Sequence, residues 1–528
     1  MQAVLTTKQT KALEEYLKET AGVPSLLLME YAAEAVCKDV MKHAEREVLI
    51  FAGTGNNGAD GLAVARMLAN LRIGVTVCVI GNAEHASSEW LVQKHMLDSI
   101  YAQEVLFTDI EKLDKNKNYD VIVDAILGIG LNRPVSGDHQ AAVRCINSLK
   151  KTANCKVIAV DIPTGLSSDT GEVLNDAVFA DETVTFFAMK RGILLNKGRM
   201  HTGRVRLTEN LAVNTPAIDM LYAGGVLSYD LKSEGPLTVQ LTGTDINNVL
   251  YRNPAGSKSD FGKVLCICGS KGMPGACILN ARACFAAGAG MVKVLSYSDN
   301  LPMLMHEIPE AMFAAYDRIS YNELAEAVSW CDCIVMGCGL GKNAAVMDSV
   351  FETALLKEKA MVIDADGLNH IAGNMNILNA RREKGLITVI TPHPGEWSRL
   401  FADISCSDPE SVRRIAADKG VIATAKNATT IVTDGGKRIY LNDTGNDGMA
   451  TAGSGDVLSG IIAAFIAKAV KSSDNDFDYY CLTVASAVWL HGRAGDLAAK
   501  EKGNASMLPT DMIRCLPKVY RESGRNIC

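Results

Sequence analysis

The sequence predicts a two-domain α/β protein. Short apolar strands recur along the chain and end in glycine, aspartate or histidine, and helices of small apolar residues follow them. The pattern weakens from Glu209 to Gly243, where Gly, Pro and Thr are scattered, and restarts at Phe261. At 528 residues the chain also exceeds what one core organises. The boundary is placed near 215–225, giving domains at 1–215 and 225–528.

The first domain opens with two helices within 1–46, the second over 25–44 with apolar spacing at Leu28, Ala32, Ala35 and Val36. A strand at 48–52 enters the turn Gly53-Thr-Gly-Asn-Asn-Gly-Ala-Asp60-Gly, a helix runs through Leu71, and a second strand covers 74–80. Strand, glycine turn, helix and strand make one Rossmann-like βαβ unit, with its ligand crevice at the carboxyl ends of the strands. Gly53, Gly55 and Gly58 match the G-x-G-x-x-G dinucleotide fingerprint. However, the next strand ends Ile80-Gly81-Asn82, without the acidic residue that would hold a ribose, which argues against a plain dehydrogenase.

Two further strands end in carboxylates. The run 119–124 ends at Asp124 and continues into a glycine loop from Gly128 to Pro134; the run 156–161 ends Asp161-Ile-Pro-Thr164. Parallel strands converge at these ends, so Asn57, Asp124, Asp161 and Thr164 are expected in one crevice. Each aspartate taken singly could equally be a helix cap or turn residue. Asn, Asp and Thr oxygens suit a hard cation such as potassium and do not suit zinc.

Three of these motifs, Asn56-Asn-Gly-Ala-Asp-Gly61, Val123-Asp-Ala-Ile-Leu-Gly-Ile-Gly130 and Val160-Asp-Ile-Pro-Thr-Gly-Leu166, resemble the epimerase domain of the NAD(P)H-hydrate repair enzymes. The likeness begins at Gly22-Val-Pro-Ser-Leu-Leu-Leu-Met-Glu30 and runs past Thr183-Val-Thr-Phe186 and Lys190. It implies that Asn56, Asn57, Gly58, Ala59 and Asp60 hold the hydrated nucleotide, together with the loop Gly128, Ile129, Gly130, Leu131, Asn132, Arg133 and Pro134. Asp161 would be the acid/base residue, and Asn57, Asp124 and Thr164 would bind potassium. Ala59 replaces the family's usual Gly, and Thr164 its frequent Ser, which keeps the hydroxyl.

In the second domain, strands at 262–270 and 291–295 flank a small-residue helix at 277–288. Later strands end in Gly337-Cys-Gly339-Leu-Gly341, in Asp364-Ala-Asp366, and in His393 between two prolines. Those prolines fix the backbone around His393, which is either a functional residue or a helix cap. A strand pair follows near 424–433 with Lys426 beside it. The run Asn446-Asp-Gly-Met-Ala-Thr-Ala-Gly-Ser-Gly-Asp456 then enters an apolar helix, 457–470. Gly453, Ser454 and Gly455 would bare backbone N–H groups at a helix N-terminus, which attracts anions such as phosphate. Asp456 would repel phosphate, so it is read as a base that takes a proton from a hydroxyl, with an N-capping aspartate as the alternative.

The late G-S-G-D before a helix is similar to the ribokinase-like fold. Gly337 to Gly341, Asp364 to Asn369, Thr391 to Glu396, Lys426 to Thr430 and Met449 to Asp456, in that order, resemble the NAD(P)H-hydrate dehydratase domain. The likeness implies that Ala276, Gly339, His393 and Asp456 contact the hydrate. ADP or ATP would lie on Lys426, Asn427, Ala428, Thr429 and Thr430 and on Asn446, Asp447, Gly448, Met449, Ala450, Thr451, Ala452, Gly453, Ser454 and Gly455, with magnesium on the phosphates. Cys338, Asn427 and Ala452 depart from the usual Pro, Gly and Gly.

Together these imply a bifunctional enzyme. It would epimerise R and S hydrates of NADH and NADPH and dehydrate the S form using ADP, less readily ATP. The alternative is a vitamin or sugar kinase joined to a non-catalytic Rossmann-like domain. A net charge of -7 excludes a broad basic field for nucleic acid. Fifteen cysteines without a C-x-x-C pair suit reduced, buried thiols. No signal peptide and no membrane-length apolar run is found, so a cytoplasmic protein without membrane contact is expected, as a homo-oligomer such as a tetramer.

Overall fold

The computed structural model describes residues 1–153, 155–208, 237–341, 344–471 and 476–523. The chain divides into two compact units, Gln2–Gly235 and Pro236–Cys528 with Met1. The boundary expected at 215–225 lies outside the described residues.

Nine described strands belong to the N-terminal unit: β1 (Gln2–Leu5), β2 (Glu47–Ala52), β3 (Gly74–Val79), β4 (Val105–Thr108), β5 (Val121–Ala125), β6 (Lys156–Val160), β7 (Glu182–Thr185), β8 (Met189–Lys190) and β9 (Arg204–Leu207). Seven form one parallel sheet in the order β4-β3-β2-β5-β6-β7-β9. Every residue of β5 is buried, the pattern of a parallel strand covered on both faces. Leu49, Phe51, Ile122 and Val157 share a core with Val143 and Ile146 of helix Gly137–Ala153.

The chain runs outward from β2 through β3 to β4, then returns to β5 and builds the other side. The strand order therefore reverses between β2 and β5, where a crevice opens at the carboxyl ends. The two strand ends touch there, backbone to backbone. The Gly53 N–H donates to Ala125 O at 3.0 Å, and a Cβ on Gly53 would collide with the Ile126 carbonyl.

Two expectations need correction at the N-terminus. The chain starts with a strand, β1, which pairs in parallel with β8. The helices follow as Thr7–Glu15, with a Thr6/Gln9 capping box, and Ser25–Val40, which ends four residues earlier than the expected Ala44. Four-residue β1, β4, β7 and β9 are too short for a period to stand out from their flanks.

The C-terminal unit contains β10 (Leu237–Gln240), β11 (Lys263–Ile267), β12 (Met291–Ser296), β13 (Met312–Ala315), β14 (Cys333–Met336), β15 (Ala360–Ile363), β16 (Thr388–Ile390), β17 (Ile422–Ala425), β18 (Thr430–Thr433) and β19 (Arg438–Asn442). Their order is β13-β12-β11-β14-β15-β16-β17-β18-β19-β10. Pairing is parallel from β13 to β17 and antiparallel from β17 to β19. The order reverses between β11 and β14, which sets this unit's crevice at Gly269 and Gly337. Helix Ser454–Ala469 packs on helix Pro274–Ala286, where Gly460 lies so close to Asn280 O that no Cβ would fit. The C-terminal unit thus has a ribokinase-like arrangement and the N-terminal unit a Rossmann-like one.

Gly53→Ala should force β2 away from β5 and lower the thermal midpoint of the N-terminal unit. The expected loss is about 1–3 kcal/mol, the cost of overpacking a tight contact. Calorimetry checks it, and an unchanged midpoint would contradict the backbone contact.

Candidate active sites

The N-terminal crevice opens into a cavity of about 610 Å³. Helix Asn56–Asn70 starts inside the glycine turn, with Gly55 as a side-chain-free N-cap. Helical spacing puts Asn56, Asn57 and Asp60 on the cavity wall. Gly58 and Ala59 fall on the opposite face: Gly58 abuts the Gly53 carbonyl and Ala59 is fully buried, so neither lines the cavity as the sequence reading had them. Gly128, Ile129, Gly130, Leu131, Asn132, Arg133 and Pro134 all line it, as does Asp161.

Asp161 follows β6 with φ 66° in the left-handed region. Its Oδ1 accepts from Thr185 Oγ1 at 3.0 Å and the Phe186 N–H at 3.3 Å, and it is ion-paired with Lys190. Lys190 is fully buried on β8 and also donates to Thr185 Oγ1 at 2.9 Å and Phe186 O at 2.8 Å. The β1–β8 pairing thus delivers the counter-charge of Asp161. Lys190 and Thr185 were not expected at the site; the available signal was a lysine directly after the apolar run Phe186 to Met189.

Glu14, on helix Thr7–Glu15, also lines the cavity and was missed. Nothing in its helical pattern distinguishes it from a solvated glutamate. Burial, then the nearby Asp161, raise its carboxyl above the ordinary range, while burial, Asp161 and Glu14 push Asp60 well up.

Asp124 is completely buried at the end of β5. Its carboxylate accepts from Thr164 N at 2.8 Å and Thr164 Oγ1 at 2.7 Å. Burial nevertheless raises it to about 6, and among the described residues no lysine or arginine pairs with it. Asn57 Oδ1 faces Gly128, where a Cβ would sit 3.2 Å away, and Asn57 Nδ2 is buried without a partner.

In the C-terminal crevice Asp456 is the third residue of helix Ser454–Ala469, whose N-cap Gly453 has φ 95° and no side chain to cap with. The N-cap role weighed for Asp456 therefore belongs to Gly453. Burial and then Asp364 raise Asp456 to about 6, with Lys426 and a hydrogen bond to the Cys338 thiol opposing them. Lys426 Nζ donates to Asp364 Oδ1 at 2.8 Å. This pair lies over the helix start: a Cβ on Gly455 would be 3.4 Å from Lys426 Nζ and 3.5 Å from Asp364 Oδ2. The charge of Lys426 survives burial because Asp364 and Glu396 hold it.

Gly339, with φ 58°, meets Ala276, a Cβ on it lying 2.9 Å from the Ala276 Cβ, so these two expected hydrate contacts are neighbours. Asn280 ties the site together, donating from Nδ2 to Asp456 O at 3.0 Å and Ser459 Oγ at 3.1 Å. His393 takes the capping role: its Nδ1 accepts from Gly395 N at 3.0 Å and Glu396 N at 3.3 Å, and its hydrogen bonds do not reach Asp456.

Residues 426–429 form the turn from β17 to β18 and Thr430 opens β18; in the turn Asn427 Nδ2 donates to Ser407 Oγ at 2.9 Å. Asn446 caps the short turn Asp447–Met449 and donates to Asp496 Oδ1 at 3.2 Å, and Asp447 accepts from Asn504. Ala450, Thr451 and Ala452 lead from that turn to Gly453. Every described cysteine is free, and no helix among the described residues is long and apolar enough to cross a membrane.

Comparison with known proteins agrees with this division. Residues 264–518 match the NAD(P)H-hydrate dehydratase family model and 25–192 the model described as YjeF-related protein N-terminus. The bifunctional NAD(P)H-hydrate repair enzyme Nnr of Moorella thermoacetica is 32% identical over 540 aligned residues, covering 98% of this chain and 96% of that one. The chain belongs to the bifunctional NAD(P)H-hydrate repair enzymes. Its relative in Escherichia coli is 32% identical over 519 residues, covering 95% of this chain and 91% of that one. Among solved structures, a ribokinase-like superfamily protein from Enterococcus faecalis is 28% identical and covers 55% of this chain and 97% of that one, at TM-score 0.46. Both catalytic aspartates expected of this repair enzyme, Asp161 and Asp456, fall inside the matched segments, one in each.

Lys190→Met should leave the Asp161 carboxylate in the crevice without its buried counter-charge. Breaking such a pair from one side costs about 3–5 kcal/mol. The N-terminal unit should therefore unfold at lower temperature while the C-terminal transition stays. A variant as stable as the parent would contradict the pairing.

Proposed function

We propose that the protein repairs hydrated NADH and NADPH in two steps: the N-terminal unit interconverts the R and S hydrates, and the C-terminal unit dehydrates the S form with ADP. The observation that carries the reading is Asp456, a half-buried carboxylate in the same first turn as the bare helix amides and beside the Lys426–Asp364 pair. A base next to an anion-holding helix start is the arrangement phosphoryl transfer to a hydroxyl needs.

Asp456 removes the proton of the hydrate's ring hydroxyl. The Gly453–Gly455 amides and Lys426 stabilise the transferring phosphoryl group, which becomes a good leaving group on the ring and then departs to regenerate the dihydronicotinamide. The oxygens of Asp364 and Asp366 are donors of the kind magnesium takes, and the ion would neutralise phosphate charge there. With ADP the terminal β-phosphate lies at the amides; ATP would displace the adenosine outward by one phosphate. A higher kcat/KM with ADP than with ATP is expected, and the reverse would overturn that preference alone. Residues 426–430 and 446–455 carry the nucleotide in this reading, and Ala276 and Gly339 shape the hydrate pocket.

In the N-terminal unit Asp161 acts on the carbon that bears the hydroxyl, with the hydrate in the cavity between Asp60 and the 128–134 loop. Potassium suits the buried Asp124, which among the described residues has only neutral donors around it and needs a counter-charge; Thr164 Oγ1 and Asn57 Oδ1 supply further oxygens. The protein works as a cytoplasmic homo-oligomer, such as a tetramer, on small-molecule substrates.

The two activities should separate by mutation. Asp456→Asn should lower dehydration of S hydrate by about 100-fold or more and spare epimerisation; Asp161→Ala should strand the R form and spare dehydration. Dehydration at the parental rate in Asp456→Asn would remove its role, and a stable phosphorylated product in place of dihydronicotinamide absorbance would point to a kinase.

Asp456 must be ionised to accept a proton, and its carboxyl is raised to about 6. Dehydration should therefore fall as pH drops through about 6 rather than about 4. A rate flat down to pH 5 would contradict the assignment. Potassium should raise the thermal midpoint of the N-terminal unit more than lithium does, and Asp124→Asn should abolish the difference. Equal response to both ions would rule out the potassium site.

A further inference from the structure

The N-terminal cavity contains more carboxyl groups than a single acid/base residue requires. We propose that Asp60 is the acid of epimerisation and Asp161 the base, standing on opposite sides of the carbon that bears the hydroxyl. The inference rests on the epimerase reading of this unit. Asp60 lies one turn into the helix that leaves β2, and Asp161 follows β6. Between those strands lies β5, so the two strand ends are separated by two strand spacings, roughly 10 Å at the backbone. Both side chains line the cavity of about 610 Å³.

The two carboxyls have opposite surroundings. Asp161 accepts from Thr185 and the Phe186 N–H and is ion-paired with the buried Lys190. Asp60 accepts no hydrogen bond and forms no ion pair among the described residues. Its environment is burial, then the negative charges of Asp161 and Glu14, with Lys18 alone opposing, and together these push its carboxyl well above the ordinary range. Two carboxyls in such unlike surroundings, one of them pushed towards its protonated form, can divide acid and base work between them. The other charged or titratable groups around the cavity are Lys11, Lys18, Glu89, Arg133 and His139, with Lys190 behind Asp161.

Asp60 gives its proton to the hydroxyl, and the carbon–oxygen bond breaks with its electron pair leaving on water. The ring nitrogen's lone pair forms a carbon–nitrogen double bond. A second water adds to the opposite face, restoring the nitrogen lone pair, and its proton passes to Asp161. One water has left and one has entered, Asp60 is ionised and Asp161 protonated, and proton exchange with solvent resets the pair. The reverse reaction exchanges the two roles. Glu14 is a positioning residue: its charge keeps the proton on Asp60.

The test follows R-to-S conversion across pH, at times too short for spontaneous epimerisation, in the full-length parent, Asp60→Asn and Glu14→Gln. Asp60→Asn should lose about 100-fold or more in kcat while binding the hydrate within about threefold of the parent, since an amide fills the same space. In the parent the high-pH limb reports loss of the proton from Asp60. Removing the Glu14 charge makes that proton easier to lose, so Glu14→Gln should move the limb to lower pH by about half a unit or more. Parental turnover in Asp60→Asn would overturn the proposal. So would a Glu14→Gln profile whose high-pH limb does not move, even if Asp60→Asn proves inactive or unfolded. A parent protein that leaves R hydrate unchanged would overturn the epimerase reading itself, and the proposal with it.

Discussion

Burial of carboxylates at the carboxyl ends of parallel strands is the constraint on which this protein depends. A parallel sheet covered on both faces leaves only its strand ends for polar groups, and the ends converge where the strand order reverses. Asp124 and Asp161 in one unit, and Asp364 with Asp456 in the other, are drawn into that space. Each then needs a compensating partner. Lys190 neutralises Asp161, Lys426 neutralises Asp364, and Asp124 accepts from the neutral donors of Thr164. A buried charge with such a partner is held in one place, and one without it attracts either a proton or a cation. The chemistry follows from which of these each aspartate receives.

Close backbone approach is the second half of the same constraint. Gly53 against Ile126, Gly337 against Asp364 O and Gly460 against Asn280 each occupy a position where a Cβ would strike backbone. These contacts bring strand ends and helix starts near enough for side chains from separate elements to share a cavity. Gly53 and Gly58 are explained in this way, by packing of the turn on the end of β5 and on itself, whereas a Cβ on Gly55 would meet open space. The match of the three to the dehydrogenase fingerprint reflects a shared strand-to-helix geometry.

Much of the fold was legible in the sequence, because long buried strands such as β2, β5 and β6 and the helix after Gly453 have clear composition and period. β1 was not legible, since four residues ahead of a helix contain no alternation to recognise. The candidate sites were legible where chemistry coincides with a strand end, as at Asp124 and Asp161, or with a glycine-rich helix start, as at Asp456. Lys190 and Glu14 were not, because their roles come from tertiary placement, by β8 and by helix Thr7–Glu15. Gly58 and Ala59 show the converse limit: a motif read as one binding unit has two faces once it becomes a helix, and only Asn56, Asn57 and Asp60 face the cavity. The flanking prolines at His393 signalled a fixed backbone, and that backbone serves a helix cap.

The central claim is that two separate crevices in one chain act in sequence on the two hydrate epimers. The most direct measurement supplies the intact protein with an equimolar mixture of R and S hydrate and excess ADP, resolving both epimers, NADH and inorganic phosphate chromatographically over the first minutes. Both epimers should disappear together, with one NADH and one phosphate formed for each hydrate consumed. Consumption that stops with the R form untouched, or a phosphorylated hydrate that accumulates without NADH, would contradict the account.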